Sequence, residues 1–247
     1  MVRLIERDNI KYEGGSEIRQ PFVFDEVPSG WYTGQDPLNV TQKQTQTAMR
    51  FDWKFAYAAV NIPMTELLMN GGPQAVTSLT TSKVQTAEIT LRQRLATSLF
   101  SDGTSFGGKE FVGLKQAVHD TGSYGGIART TTEGSHLVSY VDATGGTVSL
   151  ALIQKAFGKA TIAPAQPDLI VTTQRQFDIV WGLVQANQRF IAAPGLLGEC
   201  GFSGININGA MMVVDQSCNP GEMYLLNTSY LKFILHSQRV FSLEGRI

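Results

Sequence analysis

Gly103-Thr104-Ser105-Phe106-Gly107-Gly108-Lys109 carries the first seven positions of a phosphate-binding loop. In that motif backbone N–H groups cradle phosphates and the lysine neutralises them. The next position is Glu110, where the motif needs a Ser or Thr hydroxyl for magnesium. A carboxylate there repels the phosphates it is meant to serve. The flanks are also reversed: a helical pattern precedes the loop and Phe111-Val112-Gly113 follows it, whereas the motif follows a buried strand and opens a helix. A nucleotide-binding enzyme using residues 103–109 is therefore a remote alternative.

The other reactive side chains are scattered. His119, His136 and His236 have no HExxH spacing and no close cysteine partners, so no metal site is read. No Gly-x-Ser-x-Gly elbow is present for a hydrolase. Asp215 follows an apolar run, but Ser217-Cys218-Asn219-Pro220-Gly221 after it reads as a turn. Asn39-Val40-Thr41 and Asn227-Thr228-Ser229 fit the glycosylation sequon, as expected by chance in a Thr-rich chain. Cys200 and Cys218 are too few for a disulfide framework and read as small buried hydrophobes. The residues assign no catalytic, cofactor or metal role, and the expectation is a protein that is not an enzyme.

Composition narrows the class. The 247 residues are 43% hydrophobic and 17% charged, with a net charge of -1. That suits a globular chain light on charge and argues against a dedicated nucleic-acid binder, which needs excess Lys and Arg. No apolar run is long enough to span a membrane. The start, Met1-Val2-Arg3-Leu4-Ile5-Glu6-Arg7-Asp8, lacks a signal-peptide core, so cytoplasmic synthesis is expected.

The elements begin with a β-segment over Glu17–Val27, with Pro21 at an edge position. Turn formers follow from Pro28 to Pro37, with Trp31 and Tyr32 at the tip. The segment Thr41–Tyr57 reads as one long strand. Met49, Phe51, Trp53, Phe55 and Tyr57 alternate with Ala48, Arg50, Asp52, Lys54 and Ala56, while Thr41 to Thr47 has no apolar face. It would span about 56 Å, against a diameter of about 45 Å for a compact chain of this length. Its polar half is expected to project as an arm toward another subunit. Trp31, Tyr32, Lys43, Arg50, Asp52 and Lys54 are the candidate inter-subunit contacts; Arg50, Asp52 and Lys54 alternate in sign and suit charge pairing.

A short helical turn is expected at Met64–Met69, then a helix over Gln74–Phe100 of about 40 Å. Val84, Ala87, Leu91 and Leu95 mark its apolar stripe. Lys83, Arg92 and Arg94 lie on its polar side, which by residue type reads as a solvated face. A glycine-rich stretch follows from Gly107 to Gly146. Thr147 is expected to cap a helix over Val148–Phe157. Asp168–Thr172 reads as a strand, Thr173 as the cap of a helix to about Gln188, and the rest as strands broken by Asn219-Pro220-Gly221. The order is α+β rather than regular βαβ alternation.

Pro167-Asp168-Leu169-Ile170-Val171-Thr172 with the following helix through Trp181 to Phe190 resembles the major capsid proteins of tailed bacteriophages. So do Gly201-Phe202, the Ile205 to Asp215 strands, the Asn219-Pro220-Gly221 turn and Met223-Tyr224-Leu225-Leu226-Asn227. A long hairpin before a long helix matches that family's order, and Leu99-Phe100-Ser101-Asp102-Gly103-Thr104 resembles its usual helix ending. The likeness runs from about Gly14 to Phe241 and rests on order and coverage rather than signature residues.

The resemblance implies an α+β tailed-phage major capsid protein fold. Residues 1–14 would be a remnant of the N-terminal arm, 15–62 the extended-loop hairpin, and 63–111 a peripheral domain with its spine helix. Residues 112–215 would form an axial domain, and 216–247 strands returning to the peripheral domain. It implies a virion capsid protein, assembled in the host cytoplasm into hexamers and pentamers of an icosahedral shell around double-stranded DNA, toward which Lys83, Arg92 and Arg94 would turn as a delocalised, non-specific contact. Portal, scaffold and decoration proteins are the further partners it allows; it implies no cofactor and no membrane. Some relatives cross-link through a lysine on the extended loop, but no motif assigns that role to Lys43 or Lys54. An encapsulin-type compartment shell, which shares the fold, is the alternative.

Overall fold

The computed structural model describes residues 10–12, 14–71, 79–143, 145–185 and 205–237. Strand β1 (Ile10–Tyr12) is followed by β2 (Glu17–Val23), which pairs antiparallel with β3 (Gln46–Asp52). Thr45, Thr47, Met49, Phe51 and Trp53 are half-buried, and the residues between them are exposed. The period of two thus decides which face meets the body. Arg50 turns its N–H away from β2, toward Gly125. Arg19, opposite Arg50, and Pro21, two residues on, therefore lie at positions whose backbone also points outward. Pro21 has no N–H to lose there, which is why a proline is tolerated within this strand.

The structure corrects the expected strand over Thr41–Tyr57: the ladder covers only seven residues. A strand extends only as far as its partner. The Phe24 N–H to Thr45 carbonyl bond, 3.0 Å, is the link beyond the ladder on one side. On the other, Glu17 opposite Asp52 is the last pair. Thr41 to Gln44 are exposed and outside any strand. The aromatic face also ends early, since Phe55 and Tyr57 are 88% and 87% exposed. The first β-segment likewise ends at Val23 rather than Val27.

Helix α1 (Met64–Met69) starts after Pro63, whose extended backbone suits the position before a helix. Helix α2 (Leu79–Leu99) has 21 residues, about 31 Å. The expected start at Gln74 lies outside the described residues. Val84, Ala87, Leu91 and Leu95 are half-buried as the stripe required, but only the end, Leu99 and Phe100, is fully buried. Thr86, Thr90 and Thr97 satisfy their hydroxyls on carbonyls four residues back, at 2.8 to 3.0 Å.

The chain continues through helix α3 (Leu114–Ala117) and the strand pair β4 (Ser123–Tyr124) and β5 (Ile127–Ala128). Then come helix α4 (Leu150–Ala160), strand β6 (Leu169–Thr172) and helix α5 (Gln174–Gln185). Strands β7 (Ile205–Ile207), β8 (Ala210–Val214), β9 (Met223–Leu226) and β10 (Ile234–His236) complete it. Ser149, not Thr147, caps α4, accepting the Leu152 N–H at 3.3 Å, which moves that helix's start to Leu150. Thr173 precedes α5, and its carbonyl accepts the Phe177 N–H at 3.1 Å.

The main sheet has the order β7-β8-β6-β9, with β6 parallel to β8 and antiparallel to β9. All of β6 is buried because both sheet faces are covered. Leu169 and Val171 meet Leu99, Phe100, Leu114, Cys218, Tyr224 and Leu226. Ile170 meets Ile153 and Phe157 of α4, Val180 of α5, and Ile205, Ala210 and Met212. Each such burial contributes about 1.5–3 kcal/mol. Asn208 and Gly209, both at positive φ (52° and 88°), make the tight turn between β7 and β8. Strand β9, from the segment expected to return to the peripheral domain, is a member of this sheet, whereas β10 pairs in parallel with β1. Cys200, Gly201 and Phe202 lie outside the described residues.

Candidate functional site

The β2–β3 hairpin is fastened to the body at its neck. The Arg50 N–H reaches the Gly125 carbonyl at 2.9 Å. The Phe51 and Tyr124 rings meet edge-on, 5.3 Å between centroids. Gly125 is required by both space and backbone: its φ is +57°, and an added Cβ would lie 2.7 Å from the Met49 Cβ. At the far end of β3 the Trp53 indole N–H donates to the Gly15 carbonyl at 2.9 Å, and the Trp53 ring packs on His236 of β10.

Arg129 holds the turn that does the gripping. It is only 4% exposed, and its guanidinium donates to four carbonyls: Leu137 (2.8 Å), Thr121 (2.9 Å), Gln116 (2.7 Å) and Ala117 (2.9 Å). Burial pushes the Arg129 pKa below the ordinary arginine value. A ring of carbonyl dipoles keeps the ion tolerable there without a buried carboxylate. Its guanidinium carbon also lies 5.9 Å from the Tyr124 ring centroid. Sequence reasoning did not single out Arg129 or Tyr124; the Gly125-Gly126 pair was the legible signal of a close approach.

Beyond the neck, residues 25–44 form a long loop outside the strand pairing. Trp31 is fully exposed at 104% and Tyr32 is 68% exposed, so neither folds back on the hairpin. Val27, Leu38 and Val40 are exposed too. The loop has local order: Asp36 accepts the Thr33 N–H and hydroxyl, each at 2.9 Å, which holds its carboxyl below the usual range. At the loop's base Lys43 bonds Asp25 at 2.6 Å, and that bond, with the Glu26 N–H, lowers the Asp25 pKa.

The candidate contact residues divide by whether their own chain already engages them. Lys43 is held by Asp25, and Lys54 donates to the Gly108 carbonyl at 2.8 Å. Arg50 and Asp52 are exposed, and no described side chain bonds theirs. On α2, Lys83 bonds Glu66 of α1 at 2.7 Å and is half-buried. Arg92 bonds Glu88 one turn back at 2.9 Å, and Arg94 sits 5.0 Å from the Phe106 ring centroid.

A phosphate-binding loop follows a buried strand, whereas residues 103–109 follow helix α2. Gly103 packs closely, since an added Cβ would lie 3.1 Å from the Val112 Cα. Phe106, Gly107 and Gly108 then take positive φ (54°, 68° and 77°) in a short left-handed turn. The Gly108 carbonyl accepts the Lys54 ammonium at 2.8 Å. No cluster of metal-binding side chains occurs among the described residues. No described helix is long and apolar enough to cross a membrane.

The structure is similar to a solved cyanophage A-1(L) capsid asymmetric unit, with a TM-score of 0.74 and 15% sequence identity over 96% of this chain and 72% of that one. No family model and no curated protein matches the sequence. The likeness covers nearly the whole chain, so the α+β architecture here is a phage capsid protein fold.

Proposed function

We propose that this chain is a major capsid protein, the repeating subunit of a tailed-phage shell enclosing double-stranded DNA. The observation that carries this reading is the contrast between the hairpin's neck and its loop. The neck is fastened through Arg50, Phe51 and Trp53, while the loop exposes Trp31, Tyr32, Leu38 and Val40. Exposed aromatics on a tethered projection are wasteful in a monomer and normal at a subunit contact. The capsid neighbour supports the same reading.

In this account residues 25–44 are the part of the extended loop that lies on an adjacent copy. Helix α2 acts as the spine of a peripheral domain and the β6-centred sheet belongs to an axial domain. Each contact is weak, but every subunit makes several, and closure into hexamers, pentamers and a shell multiplies them. The work of the protein is assembly, and no residue need be catalytic. Packaged DNA meets a delocalised basic surface that includes Arg92 and Arg94, whose pairing with Glu88 and Phe106 limits each to a weak contact.

Deleting Ser29 to Leu38 tests the account. The circular-dichroism spectrum and melting temperature should stay near those of the parent, because these residues are exposed, while shells should be lost. Unfolding on deletion would show that the loop belongs to the core and would sink the arm argument.

A further inference from the structure

The outward face of the β2–β3 hairpin carries four charges in a two-by-two block. Glu17 stands opposite Asp52, and Arg19 opposite Arg50. The pairs are thus like-signed across the strands and opposite-signed along them. Along each strand the rows are two residues apart, about 6.8 Å. Across the strands Arg19 and Arg50 form one of the closer, non-hydrogen-bonded pairs, with Cα atoms about 4.5 Å apart. Directly opposed like charges destabilise an isolated hairpin. Glu17 relieves Arg19 by an ion pair within β2; the Arg19 side chain remains 65% exposed and the Glu17 side chain 24%. Arg50 and Asp52 are exposed on β3, and no described side chain neutralises either.

We propose that this face docks on the same face of a second copy of the chain, about a two-fold axis running across the strands. The sign pattern selects that axis. It turns the acidic row of one copy over the basic row of the other, placing Asp52 against Arg50 and Glu17 against Arg19. A two-fold along the strands would instead stack acid on acid and base on base. Long charged side chains suit the spacing of about 10 Å between packed sheets. The contact is isologous, so each pair occurs twice, and it relieves the like-charge pairs that the isolated hairpin leaves standing. The inference deepens the shell reading, on which it rests, by naming a surface through which two subunits meet.

Charge exchange on β3 tests it in the full-length protein, by sedimentation at low concentration and by shell yield at high concentration. Arg50→Glu sets a carboxylate against the partner's Asp52, and Asp52→Arg sets a guanidinium against the partner's Arg50. Each substitution should weaken self-association by about tenfold or more, because two contacts change at once. Neither should lower the melting temperature. Within one hairpin the carboxylate introduced by R50E would face Arg19, and the guanidinium introduced by D52R would face Glu17. The double exchange R50E/D52R should return association to within about threefold of the parent.

A double exchange no better than the weaker single overturns the docking, as do single variants that associate like the parent. Shells that form equally from all variants overturn the docking and leave the shell reading standing. Dimers that follow the exchange pattern without ever forming shells support the docking and count against the shell. A parent chain that stays monomeric throughout overturns both.

Discussion

The Arg50 N–H donates to the Gly125 carbonyl at 2.9 Å, and this bond fastens the edge of β3 that β2 leaves open. It ties a local feature, the alternation of β3, to a turn far along the chain. The hairpin is consequently tied to the body at its neck and exposed at its loop. A subunit that must place a loop on its neighbour needs both properties.

Gly125→Ala should loosen that neck. The new methyl would press on Met49 at 2.7 Å, and the residue would keep a positive φ. A loss of about 1–3 kcal/mol is expected in urea denaturation. Hydrogen exchange should quicken over Gln46–Asp52 while β6 stays protected. Unchanged exchange in β3 would mean the turn does not hold the hairpin.

Arg129→Met should cost about 1–3 kcal/mol, because it leaves the partly buried carbonyls of Gln116, Ala117, Thr121 and Leu137 without their donor. Arg129→Lys should recover only part of this, since an ammonium lacks the fork that reaches four acceptors. Equal stability of the Lys variant and the parent, measured in urea, would contradict the clasp.

The period-two face up to Trp53, the stripe of α2, the buried β6 and the edge position of Pro21 were legible in the sequence, because each follows from local pattern. What stayed concealed was set by partners distant in the chain. The strand over Thr41–Tyr57 looked long because threonines and aromatics favour strands, yet β2 supplies partners for only seven residues. Phe55 and Tyr57 continue the alternation but face solvent at 88% and 87%. Asn208-Gly209 was a legible hairpin signal hidden within an apparently continuous β pattern. Thr147 and Ser149 are both cap formers, serine the somewhat better, and the geometry uses Ser149. Arg129 carried no signal, since nothing local marks an arginine that will be enclosed by carbonyls. Among the contact candidates, Arg50, Asp52, Lys43 and Lys54 stand equal by residue type and position, whereas the fold engages the two lysines within the chain.

The loop base should respond to acid through Asp25. Its folded pKa lies below the ordinary 3.8, first because of the Lys43 hydrogen bond. A depressed carboxylate pKa gives a contribution that is present above the unfolded value and lost as pH falls through the folded one. The Asp25 carboxyl carbon, followed by NMR, should therefore titrate below pH 3.8, and Lys43→Ala should move its midpoint upward. A midpoint unaffected by Lys43→Ala would show that the pair does not persist in solution.

Cys218 should be inert while the chain is folded. It is 4% exposed, and burial, with Glu222 and Asp215 adding to it, pushes its thiol up to about 11. At about pH 8, below both the ordinary and the raised thiol pKa, peptide-resolved alkylation of Cys218 should be slow in buffer and fast in urea. Equal rates in both would mean that the sheet face carrying Leu169, Val171 and Tyr224 opens readily.

Electron microscopy of the purified full-length chain across a concentration series tests the central claim most directly. Uniform closed shells built from many copies, appearing above a threshold concentration, are the predicted result. A protein that stays a folded monomer at every concentration, with Trp31 still solvent-exposed by fluorescence quenching, would contradict it.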